Sequence, residues 1–510
     1  LPFNVNSIVH SPGSPRLPSL TVAALALVLA ASVAVAQDDA GAGWRQSFGA
    51  LELRGGIDTY SAYYAMSGTW WNLAATASPG FDKNRSFAEF WVQPRLDGSF
   101  SLDGDHEAYG ALSVAATQTL GSDAFDYSDQ GAVRFGSAML GVRGTAGDWR
   151  YDLSFGRQTF TLGTGMLLTA GSSNGYTWGG GASAKRSVWG NSLHAHLGLA
   201  LHWRTVDGQQ HVATLLAHLG LGEWTGTAFV LEPDEAPAAY TGTRVQGLAV
   251  EWARQAAGKA GLAWMTVPRS QAIYPGDVVP VAYIQNGRQG LDTWHGWADL
   301  AGFIPELPAL GLRAEFVQQR NEITRTDGQR DPMRAGAWLL GVSWWAKEWP
   351  FAPKFSYHVA RFSGDDPATA TYERFDPLFW GNGLNNWWFG ANGAYSWLNA
   401  NLRAQRFIMD AYLSAQDIVQ LQYVRASVDQ INSAVQFGQG ARFTANQIIL
   451  GVPERWLSDE IYLQYSRVFN PKLVATAFVS HSIPGDGLKA TAPQDLQPWI
   501  TFGLGLTANF

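Results

Sequence analysis

Trp499-Ile500-Thr501-Phe502-Gly503-Leu504-Gly505-Leu506-Thr507-Ala508-Asn509-Phe510 closes the chain, and its period decides how everything before it is read. Counting back in twos from Phe510 gives Ala508, Leu506, Leu504, Phe502 and Ile500, all apolar. The interleaved residues are Asn509, Thr507, Gly505, Gly503 and Thr501. A period of two marks a strand with one apolar and one polar face. A strand crossing a bilayer at a tilt needs about 9 to 11 residues, with lipid on one side and a polar lumen on the other. The segment meets that requirement, although an amphipathic edge strand of a soluble sandwich has the same pattern.

Composition separates the two readings. The chain has 510 residues, 46% apolar and only 15% charged, whereas an ordinary soluble domain carries about 25% charge. Its 56 glycines and 23 tryptophans suit tightly coiled strands and aromatic interfacial girdles. A formal charge of −7 gives no reason to expect nucleic acid as a partner. The absence of cysteine excludes disulfides and thiolate metal sites. Residues 1–36 read as a cleaved export signal. Arg16 precedes the apolar run Leu20 to Val35, and Ala34-Val35-Ala36 supplies a small-x-small cleavage site before Gln37. A single membrane anchor is the competing reading of that run. No later stretch is a continuous apolar span of about 18 residues, so a membrane location requires a closed barrel, whose backbone groups are all paired.

The expected organisation is a short lead-in over 37–48 and one barrel domain over 49–510. The fold class is all-β: a transmembrane antiparallel up-and-down barrel of about 18 strands, in the range 16–20, with short periplasmic turns and long external loops. From residue 49 onward, segments of about ten residues alternate apolar and polar. In the strand 88–102, Phe90, Val92, Leu96, Phe100 and Leu102 share one face. Pro94 on that face forfeits a ladder donor and predicts a bulge. Further strands are expected at 108–118, 131–144, 149–157, 244–254, 261–268, 292–304, 311–322, 334–347, 352–363, 400–411, 417–428, 458–468, 471–483 and 499–510, with the first near 51–64. The count between 183 and 231 is ambiguous. The Gly/Ser-rich stretch from 159 to 181 is too long for a turn and reads as an inward-folded loop.

Candidate sites follow from residue type. The acidic loop 122–130 is a solvated surface or a calcium site. His194, His196 and His202 lack a carboxylate to complete a metal set, so no metal and no cofactor is expected. The excursion 363–399 is rich in Trp and Phe and either stacks on sugars or packs itself at the interface. No Gly-x-Ser-x-Gly or His-Glu-x-x-His signature is present, so an enzyme is not expected, a barrel-embedded lipid hydrolase being the competing case. The chain has only seven lysines among 35 basic residues. Arginine's planar fork binds carboxylates and stays charged. Arg95, Arg143, Arg313 and Arg403, with Lys354, fall on the polar faces of the expected strands. Glu89, Asp97, Glu251 and Glu315 share those faces, which makes bracing ion pairs the competing role.

Three sets of residues resemble the alginate export family of outer-membrane porins. They are Gly156-Arg157-Gln158 with Gly163-x-Gly165-x-Leu167, Pro305-x-Leu307-Pro308 leading into Arg313-Ala314-Glu315-Phe316, and Tyr372-Glu373-Arg374-Phe375-Asp376-Pro377-Leu378-Phe379. The resemblance implies a monomeric barrel of the bacterial outer membrane whose arginine-lined lumen passes a uronic-acid polymer. It adds Arg157 and Arg374 to the pore residues. Strict alternation from Tyr151, Leu153 and Phe155 points Arg157 at lipid, so its inward placement requires a bulge at Gly156. The closing aromatic resembles the signal read by the barrel-assembly machinery. The expected partners are therefore outer-membrane lipid, that machinery, an anionic carbohydrate substrate and periplasmic export proteins. A broad porin for small nutrients, and a mostly closed barrel acting through its external loops, are the alternatives.

Overall fold

In a computed structural model, the chain is described over residues 44–510. Outside the description lie 70–81, 122–130, 159, 169–207, 235–241, 256, 273, 275–277, 280–283, 286, 305, 326, 379–391, 393–396, 398, 436–441, 444–447, 450 and 492–494. Eighteen strands build the wall. They are β1 Leu51–Ser67, β2 Arg85–Ser101, β3 His106–Gly121, β4 Gly131–Ala146, β5 Trp149–Gln158, β6 Gly208–Leu221, β7 Trp224–Asp234, β8 Arg244–Arg254 and β9 Gly258–Arg269. The second half comprises β10 Asp292–Ala301, β11 Leu310–Arg325, β12 Arg330–Trp345, β13 Lys354–Phe362, β14 Leu402–Tyr412, β15 Asp417–Ser427, β16 Trp456–Asn470, β17 Leu473–Pro484 and β18 Trp499–Asn509. Each pairs antiparallel with its sequence neighbours, and β18 closes on β1 from Asp58↔Asn509 to Ser67↔Ile500. The main sheet counts 20 strands because Arg45–Phe48 folds back on the start of β1 and Ile284–Gln285 adds to the far end of β11. The last residues of the expected lead-in are thus continuous with the barrel wall. A second sheet of three short strands joins Val278–Val279, Ile448–Ile449 and Arg442–Phe443.

Closure satisfies every ladder position in a medium that offers no hydrogen bonds, which is why the sheet has no edge. Alternation then assigns the faces. Ile500, Phe502 and Leu504 of β18 are exposed, while Thr501 and Gly503 face in. The same exposed apolar row continues through Leu340, Val342 and Trp344 of β12, Tyr357 of β13, Phe407 of β14 and Leu463 of β16. Such a belt is unfavourable in water and favourable in hydrocarbon. Aromatic side chains cluster at one end of it, where Trp344 packs against Trp349 and Phe355.

The start of β1 and the C-terminus share one rim with the short turns 102–105, 147–148, 222–223, 413–416 and 471–472. Phe510 is tied there by reciprocal backbone bonds with Ile57, of 2.8 and 3.0 Å. The opposite rim carries the long connections, with 326–329 between β11 and β12 as a short exception. The described part of the ambiguous stretch, from 208 onward, forms β6 and β7. The bulge expected at Pro94 is absent. The β2–β3 register is the same at Val92↔Ala116 and Arg95↔Ser113, and the shift occurs one pair further on, between Leu112 and Val114 against β4. Proline removes a donor without inserting a residue, so the ladder passes it in phase.

Candidate functional site

Charge on the inner wall is concentrated in a row that crosses five strands. The register runs Asp299 on β10, Arg313 on β11, Gly341 on β12, His358 on β13 and Arg406 on β14. Lys259 of β9 stands opposite Asp299, and Lys354 opposite Asp410 two inward positions nearer the short-turn rim. Glycine at 341 makes the row compact, because a Cβ there would lie 2.3 Å from His358 Cδ2. Arg313 donates to Asp299 through Nη2 at 2.5 Å and Nε at 3.1 Å. Lys259 Nζ donates to the Gly163 carbonyl at 2.8 Å and lies 3.6 Å from Glu251. Among these residues four cations face three carboxylates, 4 − 3 = +1, with His358 beside the charges of Arg406, Arg313 and Lys354. The facing part of the wall is more evenly balanced: Arg95 pairs with Asp58 at 3.2 Å and Arg143 with Glu107 at 2.8 Å. At the short-turn mouth, a recess of about 460 Å³ is lined by Glu52, Asp103, His106, Glu107 and Arg143. There the Asp105 N–H and the His106 ring hold the Asp103 carboxyl below its ordinary range.

Loops occupy the other half of the interior. Residues 160–168 turn inward from the end of β5, burying Phe160, Leu162, Met166, Leu167 and Leu168. They reach the inner wall, where the Thr164 hydroxyl donates to Glu315, itself 2.5 Å from His295 with both side chains fully buried. The described part of the expected inward loop therefore folds inward. A second anchor is Asp376. Its carboxylate accepts two bonds from Arg288 (2.8 and 2.9 Å) and one from the Tyr274 hydroxyl (2.6 Å). Its backbone exchanges two bonds with the Gln319 side chain of β11. Burial alone would raise this carboxyl, but the Arg288 fork and the Tyr274 hydroxyl hold it below the ordinary carboxylate range. Burial and the neighbouring Asp376 charge push the Tyr274 hydroxyl well above its own range, so it remains a donor. Phe375-Asp376-Pro377-Leu378 is thus a latch that ties Tyr274 and Arg288 to the wall through Gln319. Farther along, Asn392 donates to Ser482 and to the Trp499 carbonyl, and Trp397 to Ser458.

The sequence-derived pore residues divide into two groups. Arg95, Arg143, Arg313 and Lys354 project inward. Arg157 has no bulge beside it: both β5 ladders keep register through Gly156, whose own φ of +119° absorbs the irregularity. Arg157 pairs with Ala138, and its Nε donates to the Gly136 carbonyl at 3.1 Å, holding the guanidinium against β4. Arg374 is buried in a loop, donating to the Ala434 carbonyl at 3.1 Å, and does not line open lumen. Arg403 is on the outer face. It stands in phase with exposed Phe407, whereas Leu402, Ala404 and Arg406 point inward and are buried. The polar-inside rule inverts here because loops fill the lumen at that height and demand an apolar inner wall. Arg406, which sequence reasoning missed, takes the inward position. Its signal was a parity of three from Arg403. The histidines 194, 196 and 202, the acidic loop 122–130 and most of the Trp-rich excursion lie outside the described residues. Among the described residues, no group of three metal-ligating side chains converges.

A closed, even-numbered antiparallel barrel with an apolar outer belt, short turns at one rim and long loops at the other is an outer-membrane β-barrel, here of the strand number that encloses an aqueous channel. The chain matches no protein-family model and no curated protein. Solved structures of similar shape include Pseudomonas aeruginosa OccK7 (OpdD), with 10% identity and TM-score 0.48 over 90% of this chain and 98% of that one. The outer membrane protein OpdK of Pseudomonas aeruginosa overlaps with 10% identity and TM-score 0.49, again over 90% and 98%. Acinetobacter baumannii OccAB2 gives 9% and 0.47 over 89% and 98%. At such identities and scores, the assignment to the outer membrane stands on the strand ladders and the belt themselves.

Proposed function

We propose that the barrel is a diffusion channel for carboxylate-bearing carbohydrate, with alginate-like uronate oligomers as the solutes that the sequence motifs point to. The observation that carries this reading is the pair of cations Lys259 and Arg313, with Arg406 buried on the same wall and Lys354 two inward positions nearer the short-turn rim, on one side of a lumen narrowed by loops. A fixed excess of cations in a constriction raises the local concentration of anions and lowers that of cations. The inward loops restrict passage to a slender solute. Diffusion has no direction of its own, so export would be imposed by a gradient and by periplasmic partners. A second reading, a broad porin for small nutrients, is favoured by the ion pairs at Arg95, Arg143 and Arg313, which brace the wall.

Planar-bilayer recording of the folded barrel decides between them. In a salt gradient, the reversal potential is expected to show anion preference, which the double substitution Arg313→Gln and Lys354→Gln should reduce. Uronate trimers are expected to block the current transiently. Cation preference, or neutral trisaccharide permeating as fast as uronate, would overturn the first reading.

A further inference from the structure

The outer wall carries arginines that the channel does not use. Facing lipid at the long-loop ends of five successive strands are Arg320 of β11, Arg334 of β12, Arg361 of β13, Arg403 of β14 and Arg425 of β15. Counted from the short-turn end of each strand, they are residues 11, 12, 8, 10 and 9. That is the length a tilted strand needs to cross the hydrocarbon, about 9 to 11 residues, so the side chains emerge at the external interface. Below them, among the described residues, the same outer face of β11–β15 displays Leu312, Phe316, Leu340, Val342, Tyr357 and Phe407, and charge returns only at the short-turn end of β15, where Asp417 pairs with Arg467.

Two features separate this band from scattered surface charge. Arg320 stands directly opposite Arg334, and Arg361 directly opposite Arg403. Like charges in that relation destabilise a ladder unless an anion lies between them. Asp429 supplies part of the compensation: it accepts from Arg361 at 2.7 and 3.0 Å and from Arg403 at 2.7 Å while its own side chain is only 1% exposed. The two arginines nevertheless remain 40% and 54% exposed, so their forks keep free donors. Together with Arg425 and Arg455 they border a recess of about 510 Å³. Arg425 also stacks over Trp456 at 5.4 Å. Six arginines (320, 334, 361, 403, 425 and 455) share the band with Asp292, Asp429, Asp459 and the nearby Glu373, 6 − 4 = +2, and Arg330 and Glu322 pair with each other.

We propose that this band is a binding site for the phosphorylated headgroup of a lipid in the external leaflet. Guanidinium forks bind phosphate oxygens in bidentate fashion, and the adjoining Trp338, Val359 and Tyr423 offer an apolar wall for the acyl chains. A soluble anion would make no use of a recess that opens onto the hydrocarbon belt.

The test uses the folded full-length barrel in detergent, titrated with bis-phosphorylated lipid A, the same lipid with its phosphates removed, and inorganic phosphate. The wild type is expected to prefer the phosphorylated lipid. The pair Arg361→Gln and Arg403→Gln is expected to weaken it about 30-fold, from roughly 1 kcal/mol for each interfacial arginine. Should loss of the Asp429 contacts prevent folding, Arg320→Gln with Arg334→Gln, which leaves Asp429 paired, is expected to weaken binding in the same direction. Equal binding of the dephosphorylated lipid, or undiminished binding by a folded double variant, overturns the site. Displacement of the lipid by inorganic phosphate at equal concentration would assign it to a soluble anion instead.

Discussion

Asp376→Ala isolates the latch that narrows the lumen. The substitution deletes the acceptor of three side-chain bonds, two of them from the Arg288 guanidinium, which is only 12% exposed. Breaking a buried pair by removing one partner costs about 3–5 kcal/mol, equivalent to roughly two to nearly four orders of magnitude in the equilibrium between clamped and released loops. The barrel ladders do not involve Asp376, so the wall should still form. The expected result is a higher single-channel conductance, together with protease cleavage between 270 and 291 in folded protein. The pH dependence follows from the sign of the shift. A carboxyl held below its ordinary value stabilises the fold fully above the unfolded value, and loses that contribution as pH falls through the folded one. Wild-type conductance should therefore rise toward that of the variant only in strong acid. Unchanged conductance with intact loops in Asp376→Ala would refute the latch.

Two further perturbations probe the wall. Leu340→Arg places a charge on the outer belt, at a position 58% exposed to lipid, and should destabilise the barrel by about 2–4 kcal/mol near the midplane, measured by urea titration in lipid vesicles. Deleting Phe510 removes the reciprocal bonds to Ile57 and the terminal aromatic. Reduced membrane assembly in cells, with normal conductance for the molecules that do insert, is the expected outcome, and full assembly would exclude that role.

The closing strand was legible because its two faces differ in polarity, the inner one carrying Gly503 and Gly505 where Phe478 and Tyr60 pack closely. The same rule misplaced Arg403. In Leu402-Arg403-Ala404-Gln405-Arg406-Phe407, both parities hold an arginine, and the choice depends on what fills the lumen at that height. Loops 363–378 and 428–435 do, through Phe375, Leu378 and Val435, and a single strand's pattern carries no trace of them. Arg374 was misread for a related reason: its motif was visible, but whether a loop arginine faces water or a buried carbonyl is settled by contacts with residues some 60 positions away. The charge row on β10–β14 was only half visible, since Arg313 and Lys354 alternate cleanly, whereas Arg406 is flanked by residues of the opposite expectation.

The small sheet inside the loops has a consequence for the order of events during folding. Val278 pairs with Ile449, 171 positions away in the chain (449 − 278), and a contact so distant carries a large loop-closure penalty until the intervening strands are already in place. The wall must come first, and the interior is furnished afterwards. A freshly inserted barrel is therefore hollow and wet, and its conductance should decay with time as that late tie forms.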